Sequence, residues 1–295
     1  MAKTPNVILH IGAHKTATTH LQLALQSVRA ELADMGVGVY GPTQLRGAGL
    51  TLAERFSLPH AKTDAMLSED PQAEWAEMSS GFDRIILSEE NFVGVLNRAG
   101  GKIKFPLYPN AVEHIAGLAS AIAPKGLDVF LSIRAPATFL NSIYSQILMS
   151  GGAVRPEAFK TKNTLASVNW VQYIERLSRV KSLRSLVVWP YEDYATHFLR
   201  IVALMAGDQP SKVVKWQDDY AHRGLSARAV AEILDLDHGA RSTRQAKLLK
   251  LRFPASEEFP PFDLFSGEDH AQSGVLYADQ IKVLEQMPKV TLLRT

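Results

Sequence analysis

The chain contains no cysteine. Disulfides and thiolate metal sites are therefore excluded, and with them the framework of a small secreted scaffold. Charge of one sign is also missing: 32 Lys and Arg against 30 Asp and Glu leave a formal net charge of +2, too slight for a nucleic-acid partner. No apolar run reaches the roughly 18 residues that a membrane span requires. Only Met1 to Asn6 precede the first strand pattern, which leaves no room for a signal peptide, so a cytoplasmic protein without a membrane span is expected. Internal repeats and low-complexity segments are absent as well. His10 and His14 stand four apart but straddle a strand and a turn, so they share no helix face and no metal is expected on them.

What is present is a chain of 295 residues with 46% apolar content, enough to bury a sizeable core, and a single domain over 1–295 is expected. Short β-branched or aromatic runs at Val7 to Ile11, Val37 to Tyr40, Ile85 to Ser88, Val129 to Ile133 and Leu186 to Trp189 read as strands. Between them, Leu21, Leu25, Val28, Leu32 and Met35 recur at helical spacing up to Gly36, a C′ stop, and further helices are expected over 62–79, 110–123, 136–150 and 164–181. Strands alternating with helices predict an α/β fold: a central parallel sheet of about five strands with helices on both faces, core motifs in 5–207 and a mainly helical portion over 208–295. In such sheets ligands bind beyond the carboxyl ends of the strands.

The first strand runs into GAHKTATT, residues 12–19. In the frame GxxxxGK[ST] of a triphosphate cradle, Gly12 and Thr19 fit, but Ala17 replaces the second glycine and Thr18 the lysine, while a lysine stands three residues earlier as Lys15. A helix N-terminus behind Thr18 still attracts a phosphate through free N–H groups and the dipole. The loop suits a nucleotide that lacks a β,γ-phosphate chain.

At these residues the chain resembles the sulfotransferases that use 3′-phosphoadenosine 5′-phosphosulfate (PAPS), whose 5′-phosphosulfate loop has the form G-x-x-K-[ST]-G-T-T. The resemblance implies a P-loop-type sulfotransferase core. It implies that Lys15, Thr16, Thr18 and Thr19 hold the 5′-phosphate and sulfuryl group, with Gly12, Ala13, His14 and Ala17 completing the lining; Ala17 departs from the family's glycine. A second motif, Arg134, Pro136, Ser142 and Tyr144, fits R-x-P-x5-S-x-Y and resembles the family's 3′-phosphate motif. An arginine at a strand end offers a fork of donors to a phosphate, and a helical serine two turns on adds a hydroxyl.

The third element is RIILSEENF, residues 84–92, which on the family's frame places the base at Glu89, with Glu90 as runner-up and His14 as a further candidate. A carboxylate is ionised at neutral pH and can take a proton from an acceptor. Lys15 would meet the charge that develops on the leaving phosphate. The expected co-substrate is PAPS, the product nucleotide its 3′,5′-bisphosphate PAP, and no metal is required. A hydroxyl or amine acceptor is expected, with sugar chains, lipids and small metabolites all open and selection resting on 41–80, 151–165 and the C-terminal helices. The resemblance covers roughly the first two thirds of the chain. No counterpart of the family's late glycine-rich nucleotide-closing segment is present, HRGLS at 222–226 being a weak substitute.

Several features have plainer readings. Glu192 and Asp193 in VVWPYEDY are expected to complement the dipole of the next helix, Trp170 and Trp189 to serve as core or pocket wall, and Arg241, Arg244, Lys247 and Lys250 to form a solvated basic face. Two other functions stay open: a P-loop kinase or NTPase with Lys15 replacing the missing lysine and Glu89 or Glu90 on magnesium, and a non-catalytic nucleotide-binding protein.

Overall fold

A computed structural model describes residues 4–61, 67–96, 99–218, 224–237 and 241–295. Six strands form one parallel sheet: β1 Asn6–His10, β2 Val37–Tyr40, β3 Arg84–Ser88, β4 Leu127–Ile133, β5 Leu183–Pro190 and β6 Val290–Leu292. Their spatial order is β2-β3-β1-β4-β5-β6. Five of them coincide with the expected apolar runs. The sixth, VTL at the sheet edge, is three residues long and half exposed, so it carries too little apolar signal to be read from sequence.

Alternate residues along the strands feed two cores, as the period of two demands. Val7, Leu9, Ile85, Leu87, Val129 and Leu131 face one layer, which includes the helices Ala111–Ile122, Pro136–Met149 and Trp170–Ser178. Ile8, Ile86, Phe130, Val187 and Trp189 face the other, with Leu21 and Leu25 of the helix Thr18–Ser27 and Phe198, Ile201 and Val202 of Tyr194–Ala206. Burial on both faces explains the near-continuous apolar strands. Truncating a fully buried Leu or Ile here to Ala would cost about 2–5 kcal/mol.

Three differences from the sequence pattern have local causes. The stretch 21–35 is two helices, Thr18–Ser27 and Arg29–Asp34, broken at β-branched Val28, and Gly36 does stop the second with φ +79°. In place of one helix over 164–181 there is a short turn, Leu165–Ser167, and then Trp170–Ser178, begun where the Asn169 side chain accepts the Gln172 N–H at 2.8 Å. Of 62–79 the described helix is Pro71–Ser79, capped by Asp70, while 62–66 lie outside the described residues. His222 and Arg223 of HRGLS lie outside them too, and Ser226 of that segment caps the helix Ala227–Asp235.

The order places β1 between β3 and β4, so the chain leaves β1 toward one edge and returns on its other side. Such a reversal opens a crevice at the carboxyl ends of the strands. The segments after β1, β3 and β4 are therefore neighbours: GAHKTATT, Glu89–Glu90 and Arg134.

Candidate functional site

The loop after β1 is held by sheet bonds that outlast the strand. Ile11 and Ala13 N–H donate to the carbonyls of Phe130 and Ser132, at 3.1 and 3.2 Å, so Ala13 is committed to β4 and buried. Gly12 sits at φ +49°, where an added Cβ would come 2.4 Å from Thr18 Oγ1; glycine is needed there for close approach as well as for conformation. Thr16 turns its hydroxyl onto the Ala13 carbonyl at 2.6 Å and so braces the loop from within. Ala17 has φ +62° and ψ +20°, the left-handed conformation a glycine would take, at a cost of about 1 kcal/mol. The departure from glycine at this position is thus accommodated by strain, not by a different turn.

Ala17 leads directly into the helix Thr18–Ser27. This helix has no side-chain cap and no acidic residue in its first turn, whereas Asp70, Asn169, Ser226, Ser242 and Ser266 each cap theirs. The Thr18 hydroxyl beside it is buried without a hydrogen-bond partner. Uncapped N–H groups and an orphaned hydroxyl thus stand at one point, an arrangement that can receive an anion.

Two cations flank it. Lys15 makes no ion pair among the described residues, and burial holds its ammonium below the ordinary lysine range, with Arg134 and Lys250 adding repulsion. Arg134, just past the end of β4, has its guanidinium carbon 4.2 Å from the centre of the Tyr191 ring, donates from Nη1 to the Lys15 carbonyl at 2.9 Å and from Nε to Thr138 at 3.0 Å. Its own carbonyl accepts from the buried Trp170 indole at 2.8 Å. The guanidinium is locked in place while Nη2 keeps its donors.

These groups open on a cavity of about 740 Å³ lined by His14 to His20, Arg134, Ser142 and Gln146, with Glu90 on one side and Tyr191, Tyr194 and Trp216 on another. Ser142 thus joins Arg134 and the loop as expected. Tyr144 does not: it is buried, and its hydroxyl donates to the Val154 carbonyl at 2.8 Å. The far wall is aromatic. His20 packs on Trp216 at 4.2 Å between ring centroids and bonds Tyr194 Oη at 2.7 Å, with Phe198 behind. Nothing in the sequence marks Trp216 as a wall, because it comes from a connecting segment some 200 residues away from the loop.

The two glutamates part company. Glu89 is 3% exposed and gripped side-on by Arg46, Nε to Oε2 at 2.7 Å and Nη2 to Oε1 at 2.6 Å, while Oε1 also accepts the Asn91 N–H at 3.0 Å. Its side chain lines a different, smaller cavity of about 330 Å³ with Arg46, Thr51, Glu54, His60, Asn91 and His114. Glu90 faces the larger cavity, its Oε2 accepting from Gln22 at 2.9 Å and its Oε1 3.8 Å from Arg46.

His14 stands between the cavities. Its backbone N–H donates to Tyr108 Oη at 3.0 Å, its Nδ1 pairs with the same oxygen at 2.9 Å, and its Nε2 bonds Asn91 Oδ1 at 2.9 Å. Both ring nitrogens are occupied, and burial lowers its pKa. Tyr108 itself, at φ +48°, is fixed by the Arg176 guanidinium on the carbonyls of Leu107, Tyr108 and Pro109. One hydrogen-bonded chain therefore runs Tyr108–His14–Asn91–Glu89–Arg46. Glu192, expected to serve its own helix, instead accepts the Ala135 N–H at 3.0 Å and the Tyr277 hydroxyl at 3.3 Å, capping the helix that follows Arg134.

No family model matches the chain. No curated protein matches it either. Among solved structures, a sulfotransferase from Alicyclobacillus acidocaldarius matches with a TM-score of 0.41 at 12% identity, covering 95% of this chain and 94% of that one. At that level neither residue roles nor activity transfer. Among the described residues, no helix is long and apolar enough to cross a membrane, and no group of three or more His, Asp or Glu is placed to hold a metal ion.

Proposed function

We propose that the protein is a sulfotransferase that moves a sulfuryl group from PAPS to a hydroxyl or amine acceptor. The observation that carries this reading is the uncapped N-terminus of Thr18–Ser27, with the orphaned Thr18 hydroxyl lining the same cavity as Lys15 and Arg134, two cations that make no ion pair among the described residues. This fits a ligand with one phosphate group at the loop and a second anion at Arg134 and Ser142, as a 3′-phosphorylated nucleotide provides. The aromatic wall at Trp216 and His20 suits the purine, which stacks on any π-face.

In this reading an acceptor oxygen or nitrogen attacks sulfur as the bond from sulfur to the phosphate oxygen breaks. The acceptor proton passes to a carboxylate, and Lys15 meets the negative charge left on the phosphate. Glu90 is assigned the proton, because it faces the nucleotide cavity with Oε1 free of a hydrogen bond among the described residues. Glu89, with Arg46 and Asn91 on its oxygens, is the anchor of the β3 end; it becomes the base only if the acceptor enters from the smaller cavity. Thr16, Gly12 and Ala13 shape the loop, and Thr18, Thr19 and the helix N–H groups hold the phosphate.

Calorimetry tests the reading. PAP is expected to bind well, adenosine 5′-phosphate at least about tenfold more weakly, and Mg–ATP no better than adenosine 5′-phosphate. Arg134→Ala should erase the preference for a 3′-phosphate. Tight Mg–ATP binding with indifference to the 3′-phosphate would make the protein a P-loop kinase or NTPase instead.

A further inference from the structure

The basic strip expected as a plain solvated face resolves into parts with different fates. Residues 241–252 carry Arg241, Arg244, Lys247, Lys250 and Arg252 and no acid, in a chain whose net charge is only +2. Arg241 is structural, donating to the Leu234 carbonyl at 2.9 Å. Lys250 turns inward, near enough to Lys15 to repel it. The helix Thr243–Arg252 packs its Ala246 and Leu249 against the protein, by the i, i+3 spacing of an inner face.

Its opposite face is unusual. Leu248 is 50% and Leu251 78% exposed, and Arg244 and Lys247 stand on the same side at i, i+4 spacing. Neither cation makes an ion pair or hydrogen bond among the described residues. Isolated exposed leucines need no explanation. Two adjacent ones, framed by unpaired cations and free of acid, present both signals that peripheral membrane binding requires: apolar insertion and attraction to anionic headgroups. A soluble polyanion would use the cations and leave the leucines in water.

We infer that the outer face of the helix Thr243–Arg252 docks on an anionic phospholipid bilayer, Leu248 and Leu251 entering the headgroup boundary while Arg244 and Lys247 meet the lipid phosphates. The docking does not depend on the nucleotide reading above. It brings the inner face of the same helix, with Lys250, and the candidate site close to the lipid surface.

Sedimentation of the full chain with vesicles tests it. Binding is expected to vesicles of phosphatidylcholine containing about a third phosphatidylserine, much less to phosphatidylcholine alone, and to weaken as salt is raised. Arg244→Ser with Lys247→Ser should weaken binding about twenty-five-fold, from roughly one fivefold step per cation. Leu248→Ser with Leu251→Ser should weaken it at least about tenfold. All four side chains are exposed, so circular dichroism should show an unchanged fold. Absence of binding to either vesicle overturns the inference. So does a leucine double variant that binds as the parent does, and retention on heparin without vesicle binding would reassign the face to a soluble polyanion.

Discussion

Two neighbouring strand ends stand in contrast. After β1 the loop leaves its polar groups unspent: a helix N-terminus without a cap, a buried hydroxyl without a partner, two cations without an ion pair among the described residues, and left-handed backbone at Lys15 and Ala17. After β3 the first carboxylate is spent: Glu89 has Arg46 on both oxygens and a backbone N–H besides. Buried polar groups without partners are costly, and of those among the described residues the Thr18 hydroxyl is the one that lines the larger cavity, where a ligand could supply the partner. Satisfied groups hold structure. The carboxylate next in line, Glu90, is held more loosely, by Gln22 at 2.9 Å and Arg46 at 3.8 Å, and it is the one we propose as the base, although Glu89 is the better match to a motif.

The largest effect separates these two carboxylates. Glu90→Gln should lower turnover with PAPS about 10²–10⁴-fold while leaving PAP affinity nearly unchanged. Glu89→Gln should instead act on stability, loosening Arg46 and the Asn91 turn, and show as a lowered melting temperature. The opposite pattern in the two assays would return the proton to Glu89.

His10 lies beneath both regions, on β1 beside Ser88, whose hydroxyl it bonds at 2.7 Å. Burial lowers its pKa to about 4, against about 6.5 when unfolded. Between those values the unfolded chain takes up a proton that the folded one refuses, so stability falls as pH is lowered through that window, by on the order of 3 kcal/mol. Urea midpoints between neutral pH and pH 4 should show the slope. His10→Gln should make that slope shallower without abolishing it, because His60, also lowered to about 4, and His14, His20 and His114 titrate in the same sense.

The bridge between the regions is next. Tyr108→Phe strips the His14 N–H and ring of their shared partner, and a loss of about 1–3 kcal/mol in stability is expected, with weaker PAP binding. Unchanged PAP affinity in calorimetry would mean that the loop holds its shape without His14. The smallest effect is at the strained turn. Ala17→Gly should change stability by less than about 1 kcal/mol, in the stabilising direction if relief of left-handed strain outweighs the added freedom of the unfolded chain. A clear drop in melting temperature would show that the Ala17 Cβ packs usefully.

Much of this was legible in the residues. Lys15, Thr18, Arg134 and Ser142 sit at fixed offsets from a strand end, and local geometry carries such offsets into space. What was not legible depends on distant segments: Trp216 on the cavity wall, Tyr191 beneath Arg134, Tyr108 under His14, and Arg46 on Glu89. Only Tyr191 had a signal, as the aromatic just past the strand that pairs with β4. Two adjacent glutamates look alike in a sequence, and here one is closed off by an arginine 43 positions away while the other faces the cavity.

By itself, the sequence determined the alternation of strand and helix, the parallel class of the sheet and the strand ends where Lys15, Arg134 and the two glutamates stand, because hydrophobic period and turn residues act over a few positions. Tertiary structure alone decided which polar groups find partners and which remain unspent. Hydrogen bonds and charge pairs depend on distances set by the packing of remote segments, so the difference between an anchor and a reactive group appears only once the chain has closed around them.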